Sequence, residues 1–154
     1  MGRAPFIAAV SNQWRSFLSR WTERFSRAGE APHLALGRRG EKLAARHLRR
    51  LGYKVLYRNF RHGSGGEIDI VCRHGEALVF VEVKTRSSED FGRPLDAVDR
   101  KKQWRIMRGA MTWLRMLDLP DLTFRFDVVE VLMPEPVEIR VIENAFHLPS
   151  SYYY

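Results

Sequence analysis

The sequence predicts an α/β domain, with a central mixed β-sheet covered by helices and its elements in the order αβββαβ. Three observations carry this. Residues 65–86, GGEIDIVCRHGEALVFVEVKTR, are two apolar runs meeting at a His-Gly turn, which is the pattern of an antiparallel hairpin. Residues 36–51 and 95–117 carry apolar side chains at helical spacing with basic ones outside them. Further apolar runs at 53–60 and 124–132 flank these segments, so the second helix serves as a crossover between strands of one sheet. A chain of 154 residues suits one domain. At that size roughly 68–70% of the unfolded surface is buried on folding, enough for a core without staples.

The elements follow in order. Residues 1–35 read as an extension, an N-terminal amphipathic helix and linker. Trp14, Phe17, Leu18, Trp21 and Phe25 fall on one helical face, flanked by Arg15, Arg20, Arg24 and Arg27. An aromatic stripe of this kind packs on the domain or docks a protein partner through residues 11–27, in preference to lying on a membrane. Ala28 to Pro32 reads as a linker. The domain proper spans 36–148. Its first helix, from about Leu36 to Leu51, buries Leu36, Gly40, Leu43, Ala44, His47, Leu48 and Leu51, and Gly52 ends it. Glu41 borders that stripe, either as an early acid that suits the helix dipole or as a carboxylate reaching a site on the sheet. Arg38, Arg39, Lys42, Arg46, Arg49 and Arg50 form its outer side, an ordinary solvated face or a phosphate-facing one.

Tyr53–Phe60 is a strand, followed by a Gly-rich turn and the hairpin. Ser87–Pro94 is a polar loop. The long helix, about Leu95 to Leu117, draws its apolar surface from Val98, Trp104, Met107, Ala110, Met111 and Leu114. Arg100, Lys101, Lys102, Arg105 and Arg108 make its first half basic. Phe124–Leu132 is a strand that buries Phe126, Val128 and Val129. Val137–Ile142, after Pro134 and Pro136, is an edge strand. Residues 149–154 form a tail.

The hairpin holds the chemistry. Strict alternation places Glu67, Asp69 and Val71 on one face and Ile68, Ile70 and Cys72 on the other. In the second strand Leu78, Phe80, Glu82 and Lys84 share a face, with Val79, Val81 and Val83 opposite. Two registers are open. With Arg73 opposite Leu78, Asp69 faces Glu82; with Arg73 opposite Glu76, Glu67 faces it instead. Either way carboxylates crowd across the pair, where like charges destabilise each other and raise each other's pKa. A divalent cation removes both penalties, and Mg²⁺ takes one or two carboxylates plus waters and substrate phosphate. Lys84 beside it can orient a metal-bound water or stabilise developing charge. A Glu-x-Lys on a strand is often only a solvated face. Here the strand is apolar on both faces, and buried charges need partners.

Composition narrows the partners. Lys and Arg number 26 against 18 Asp and Glu, for a net charge of +8 and a pI near 10.1, which favours a polyanion such as nucleic acid. The single cysteine, Cys72, cannot form an intrachain disulfide and suits a reducing compartment and a core position. No apolar run is long enough to span a membrane, so a cytoplasmic protein is expected. His33, His47, His62, His74 and His147 lack the spacing of a zinc site. Gly63-Ser64-Gly65-Gly66 lacks the Lys-Ser/Thr of a phosphate-binding loop. There is no Gly-x-Ser-x-Gly elbow.

Several stretches together resemble a known family. They are Leu36-Gly37-Arg38-Arg39-Gly40-Glu41, Gly52-Tyr53, Asn59-Phe60-Arg61, Gly66-Glu67-Ile68-Asp69-Ile70-Val71, Phe80-Val81-Glu82-Val83-Lys84-Thr85-Arg86, Phe91-Gly92, Lys102 and Arg125-Phe126-Asp127-Val128. In this order and spacing they resemble the YraN-type bacterial family, which is similar to the PD-(D/E)XK nuclease superfamily and to archaeal Holliday-junction resolvases. The resemblance covers about Leu36 to Phe146 and leaves residues 1–35 unexplained. It implies a restriction-endonuclease-like αβββαβ core. It also implies a metal-dependent endonuclease acting on DNA, on branched DNA by the resolvase comparison. Asp69, Glu82 and Glu41, with the Val83 carbonyl, would hold Mg²⁺ or Mn²⁺, and Lys84 would position the attacking water. Arg38, Arg39, Lys42, Arg86, Lys101, Lys102 and Arg105 would face nucleic acid. The resemblance gives Glu67 no step. A homodimer would suit a two-strand cut. The competing expectations are a DNA- or RNA-binding protein that keeps the fold without catalysis, and an adaptor that docks through its N-terminal helix.

Overall fold

A computed structural model of the chain describes residues 32–62, 66–87, 98–117, 122–133 and 135–149. The aromatic stripe at 11–27, the turn at 63–65, most of the polar loop after Ser87 and the end of the tail lie outside the described residues. The elements run α1 (Pro32–Arg50), β1 (Lys54–His62), β2 (Gly66–His74), β3 (Ala77–Arg86), α2 (Arg100–Leu117), β4 (Phe124–Leu132) and β5 (Glu138–Phe146). The strands form one mixed sheet in sequence order. β1, β2 and β3 are antiparallel neighbours, β3 and β4 are parallel across the α2 crossover, and β5 returns antiparallel at the edge. This is the expected αβββαβ core, restriction-endonuclease-like, with β5 added as the edge strand. No described helix is long and apolar enough to cross a membrane.

The two helices cover opposite faces. On one face Ala44, Ala45 and Leu48 of α1 pack on Tyr53, Ile70, Cys72, Val79, Val81, Val129 and Val131. On the other face Ile106, Met107, Ala110 and Trp113 of α2 pack on Phe60, Ile68, Val71, Phe80, Phe126 and Val128. β3 and β4 are therefore buried on both sides, which explains their near-continuous apolar sequence. Cys72 is a free, fully buried thiol, and burial pushes its pKa up to about 12.

α1 begins four residues earlier than the periodicity suggests and absorbs part of the expected linker, because proline fits the first turn of a helix. It ends on Gly52 (φ 89°), with Tyr53 N donating to Leu48 O and Gly52 N to Arg49 O. Two residues of the expected apolar helix faces are exposed. Leu51 lies in the turn after α1 and is 49% exposed; Trp104 on α2 is 46% exposed. Ala45, Ile106 and Trp113 are buried instead. α2 starts at Arg100 rather than Leu95, because Asp99 caps it through a 2.8 Å bond from Lys102 N to Asp99 Oδ1.

Two glycine contacts set the layer spacing at the site. A Cβ on Gly40 of α1 would lie within 3 Å of the Thr85 side chain in β3. A Cβ on Gly66 of β2 would lie 2.6 Å from Gly109 Cα in α2, so strand and helix meet there backbone to backbone.

A polar cluster occupies the α1 face of the sheet. Fully buried Asp127 accepts bonds from Tyr53 Oη (3.2 Å), Arg125 Nε (3.0 Å) and Asn144 N (3.0 Å). Asn144 stands at φ 56° in the β5 bulge opposite Asp127, a conformation asparagine tolerates. Arg125 Nη2 also reaches Tyr53 Oη, His74 Nδ1 and Glu143, and the His74 ring stacks on Tyr53 at 4.0 Å.

Candidate active site

The hairpin adopts the first of the two registers, with Arg73 opposite Leu78 and His74 opposite Ala77. The ladder runs to Ile70 opposite Val81, so Asp69 and Glu82 are the next residues facing each other across the two strands. There β2 leaves β3. Instead of a further ladder bond, Val83 N donates to Asp69 Oδ2 at 2.8 Å. A residue's N–H and C=O point to the same edge of an extended strand, so the Val83 carbonyl also faces Asp69.

Strict alternation fails at this point. Ile70 and Cys72 pack under α1, but Ile68 and Val71 pack under α2. Arg58 pairs with Ile70 and Phe60 with Ile68, which sets Asn59 across from Asp69. Asn59 has φ 55°, and the left-handed residue turns both strands so that the faces exchange. The Asn59 side chain also hydrogen-bonds Glu41, and sequence reasoning gave it no role of its own.

Gly40 brings α1 onto Thr85, and the next residue, Glu41, reaches Asp69 electrostatically. Asp69 is thus the common neighbour of Glu41 and Glu82. Burial first, and the Asp69 charge second, push Glu82 up to about 8, against the pull of Lys102. The Glu82 and Asp69 carboxyls are within hydrogen-bonding reach, a contact that needs a proton between them. Burial and Asp69 raise Glu41 as well, opposed by the Asn59 bond and by Arg58 and Arg61. Glu41 Oε2 and Glu82 Oε2 are both buried without a hydrogen-bond partner.

The positive side of the site comes from α2. Lys102 Nζ lies 2.5 Å from Glu67 Oε1 and 3.2 Å from Glu82 Oε1, and Arg105 Nη2 lies 3.3 Å from Glu67 Oε2. Burial works against the Lys102 ammonium, but Glu82, Glu67 and Asp69 together raise its pKa. Burial likewise opposes the Glu67 carboxylate, yet Lys102 and Arg105 hold it below its usual range. Glu67, which had no assignable step, anchors α2 to β2. Lys102 is turned inward onto two acids rather than outward to solvent.

A cleft of ≈ 290 Å³ opens beside these groups, lined by Glu82, Lys84, Val98, Asp99, Lys101, Lys102 and Arg105. Lys84, exposed on the Glu82 face of β3, stands at its wall. Of the expected phosphate-facing residues, Lys101, Lys102 and Arg105 line the cleft. Arg86 lies at the end of β3 and reaches buried Glu130 at 3.8 Å. Arg38, Arg39 and Lys42 are exposed on α1, across the sheet from the cleft, and Arg39 pairs with Glu135 at 3.6 Å.

The donor set fits a hard divalent cation: two facing carboxyls, a backbone carbonyl on the same edge, a third acid within electrostatic reach, and orphaned buried oxygens on Glu41 and Glu82. Among the described residues, however, no three His, Cys, Asp or Glu side chains converge as a ready-made shell. The Lys102 ammonium already supplies one positive charge to Glu82.

The family model described as "Uncharacterised protein family UPF0102" matches residues 40–131, a span that holds Glu41, Glu67, Asp69, Glu82, Lys84 and Lys102. A UPF0102 protein of Geobacter sulfurreducens is 48% identical over 124 residues, covering 78% of this chain and 96% of the relative. One from Parafrankia sp. is 50% identical over 106 residues, covering 69% of this chain and 89% of the relative. One from Chlorobaculum tepidum is 52% identical over 97 residues, covering 63% and 74%.

Proposed function

The chain belongs to the UPF0102 (YraN) family, and from that premise we propose that it is a metal-dependent endonuclease hydrolysing DNA phosphodiester bonds, with branched DNA as its substrate class. The observation that supports this best is the facing Asp69–Glu82 pair, with a carboxyl oxygen of Glu82 orphaned and a cation-lined cleft alongside. Asp69, Glu82 and the Val83 carbonyl would hold Mg²⁺ or Mn²⁺, with Glu41 contributing from α1. The ion would supply charge neutralisation and an acidified water. Lys84, at the cleft wall, orients the water and meets charge developing on the phosphate. Lys101 and Arg105 hold the substrate backbone, and Glu67 fixes the helix that carries them.

Cleavage of linear, flapped and four-way DNA in Mn²⁺ or Mg²⁺ tests this directly. Wild type is expected to cut at least one substrate and to stop in EDTA. Asp69→Ala, Glu82→Ala and Lys84→Ala are each expected to lose about 10²-fold or more. A wild type inactive on every substrate, or variants as active as wild type, would defeat the proposal. A second reading, a nucleic-acid-binding protein without catalysis, draws on the Lys102 ammonium already seated against Glu82. It predicts salt-sensitive DNA binding that is indifferent to EDTA.

A further inference from the structure

Glu130 is a fully buried acid that the chemistry above does not use. Neither of its carboxyl oxygens has a hydrogen-bond partner. A buried carboxylate in an apolar strand is costly to hold unless cations balance it. The cations at hand are Arg86, with Nη2 3.8 Å from Oε1, and Arg140, with Nη1 3.9 Å from Oε2.

The ladder shows why these groups meet. Lys84 of β3 pairs with Glu130 of β4, and Glu130 pairs with Arg140 of β5. Ladder partners share a face of the sheet. A row Lys84–Glu130–Arg140 therefore crosses three strands, one step beyond the row that holds Glu82 and Val128. Arg86 follows Lys84 on the same face. Three cationic side chains, Lys84, Arg86 and Arg140, thus gather around one buried carboxylate. Arg140 is half exposed at the edge strand, about 10 Å across the sheet from Lys84 at ordinary strand spacing.

We propose that Glu130 is a positioning residue that fixes Arg86 and Arg140 as a second phosphate seat, gripping the sugar–phosphate backbone on the β5 side of the cleft. The inference rests on the nucleic-acid reading of the cleft and extends the substrate path from α2 across the sheet to its edge. It makes a prediction of opposite sign to simple electrostatics. Glu130→Gln removes a negative charge, and charge alone would tighten binding to DNA. Loss of the anchor loosens it.

The test is fluorescence anisotropy of the full chain with a labelled DNA duplex in EDTA across a potassium chloride series, with thermal melts confirming that each variant is folded. Arg140→Gln is expected to weaken binding by about three- to tenfold and to reduce the salt slope by about one. Glu130→Gln is expected to weaken it by a similar factor. Lys101→Gln, at the cleft, serves as the reference and is expected to weaken binding as well. Tighter binding by Glu130→Gln, or unchanged affinity and slope in Arg140→Gln while Lys101→Gln weakens, overturns the second seat and leaves the cleft standing. A wild type that binds no DNA, or a set in which no variant including Lys101→Gln has an effect, overturns the nucleic-acid reading too. Should Glu130→Gln not fold, Arg140→Gln decides alone.

Discussion

The Asp127 cluster and the Asp69–Glu82 cluster occupy opposite faces of one sheet, within a residue of each other in the β3–β4 ladder, and they are built in opposite ways. Asp127 is fully buried, and its carboxylate is met by a guanidinium, a phenol and a backbone amide. Asp69 and Glu82 face each other, leave Glu82 Oε2 without a partner, and share one ammonium with Glu67. The first arrangement closes a polar network inside the core and ties the α1–β1 turn to β4 and β5. The second leaves a buried carboxyl oxygen without a hydrogen-bond partner beside an open cleft. Buried polar groups that are fully satisfied fix a structure, whereas those left short call for an explanation, such as strain, a catalytic role or an ion.

The sharpest way to break this contrast is a pair of matched truncations. Asp127→Ala takes the acceptor from Asn144 N and leaves Arg125 only the half-exposed Glu143 as its carboxylate partner, and is expected to cost about 3 kcal/mol in urea unfolding. Asp69→Ala loses the Val83 bond but relieves Glu82 and Glu41, and without metal is expected to stay within about 1 kcal/mol of wild type. Equal losses would show that both clusters are structural.

A pH series sharpens the same contrast. Glu82 has a higher pKa folded than unfolded, so its contribution is fully present below its ordinary value near 4.5 and is lost as pH rises through about 8. The metal-free protein is expected to lose up to about 5 kcal/mol across that window. Glu82→Gln should flatten the slope, and Mn²⁺ should restore stability most at high pH, where the acid is free to bind it. A wild-type profile that stays flat, or one that Glu82→Gln leaves unchanged, would remove the strain argument.

The smallest expected effect concerns spacing. Gly66→Ala places a methyl against Gly109 and should cost about 1–2 kcal/mol while loosening Lys102 from Glu67. A melt as stable as wild type would mean that α2 shifts freely.

Much of this fold was legible because helix and strand periods are strong signals and the crossover leaves few topologies. The site was legible in part. The Arg73–Leu78 register was one of two that the hairpin allowed, and charge in a doubly apolar strand singled out Glu82. The same signal, applied to FRFDVVEVL, would have found Asp127 and Glu130. The exchange of faces at Asn59 was hidden, because a left-handed asparagine inside a strand looks in sequence like any polar strand residue. Lys102 reaches Glu67 over 35 residues, and only the docking of α2 on Gly66 makes the two neighbours. Trp104 fits the helical period but falls at the margin of the buried face.

The Gly66–Gly109 contact has a mechanical consequence. Main chain pressed on main chain has no rotamers to average over, so this point of α2 acts as a fulcrum. Lys102 lies seven residues upstream of it, a lever arm of about 10 Å. Rocking of the helix would scarcely displace Gly109 but would swing the ammonium and its neighbouring guanidinium toward or away from the acids, coupling the width of the cleft to the grip on Glu82.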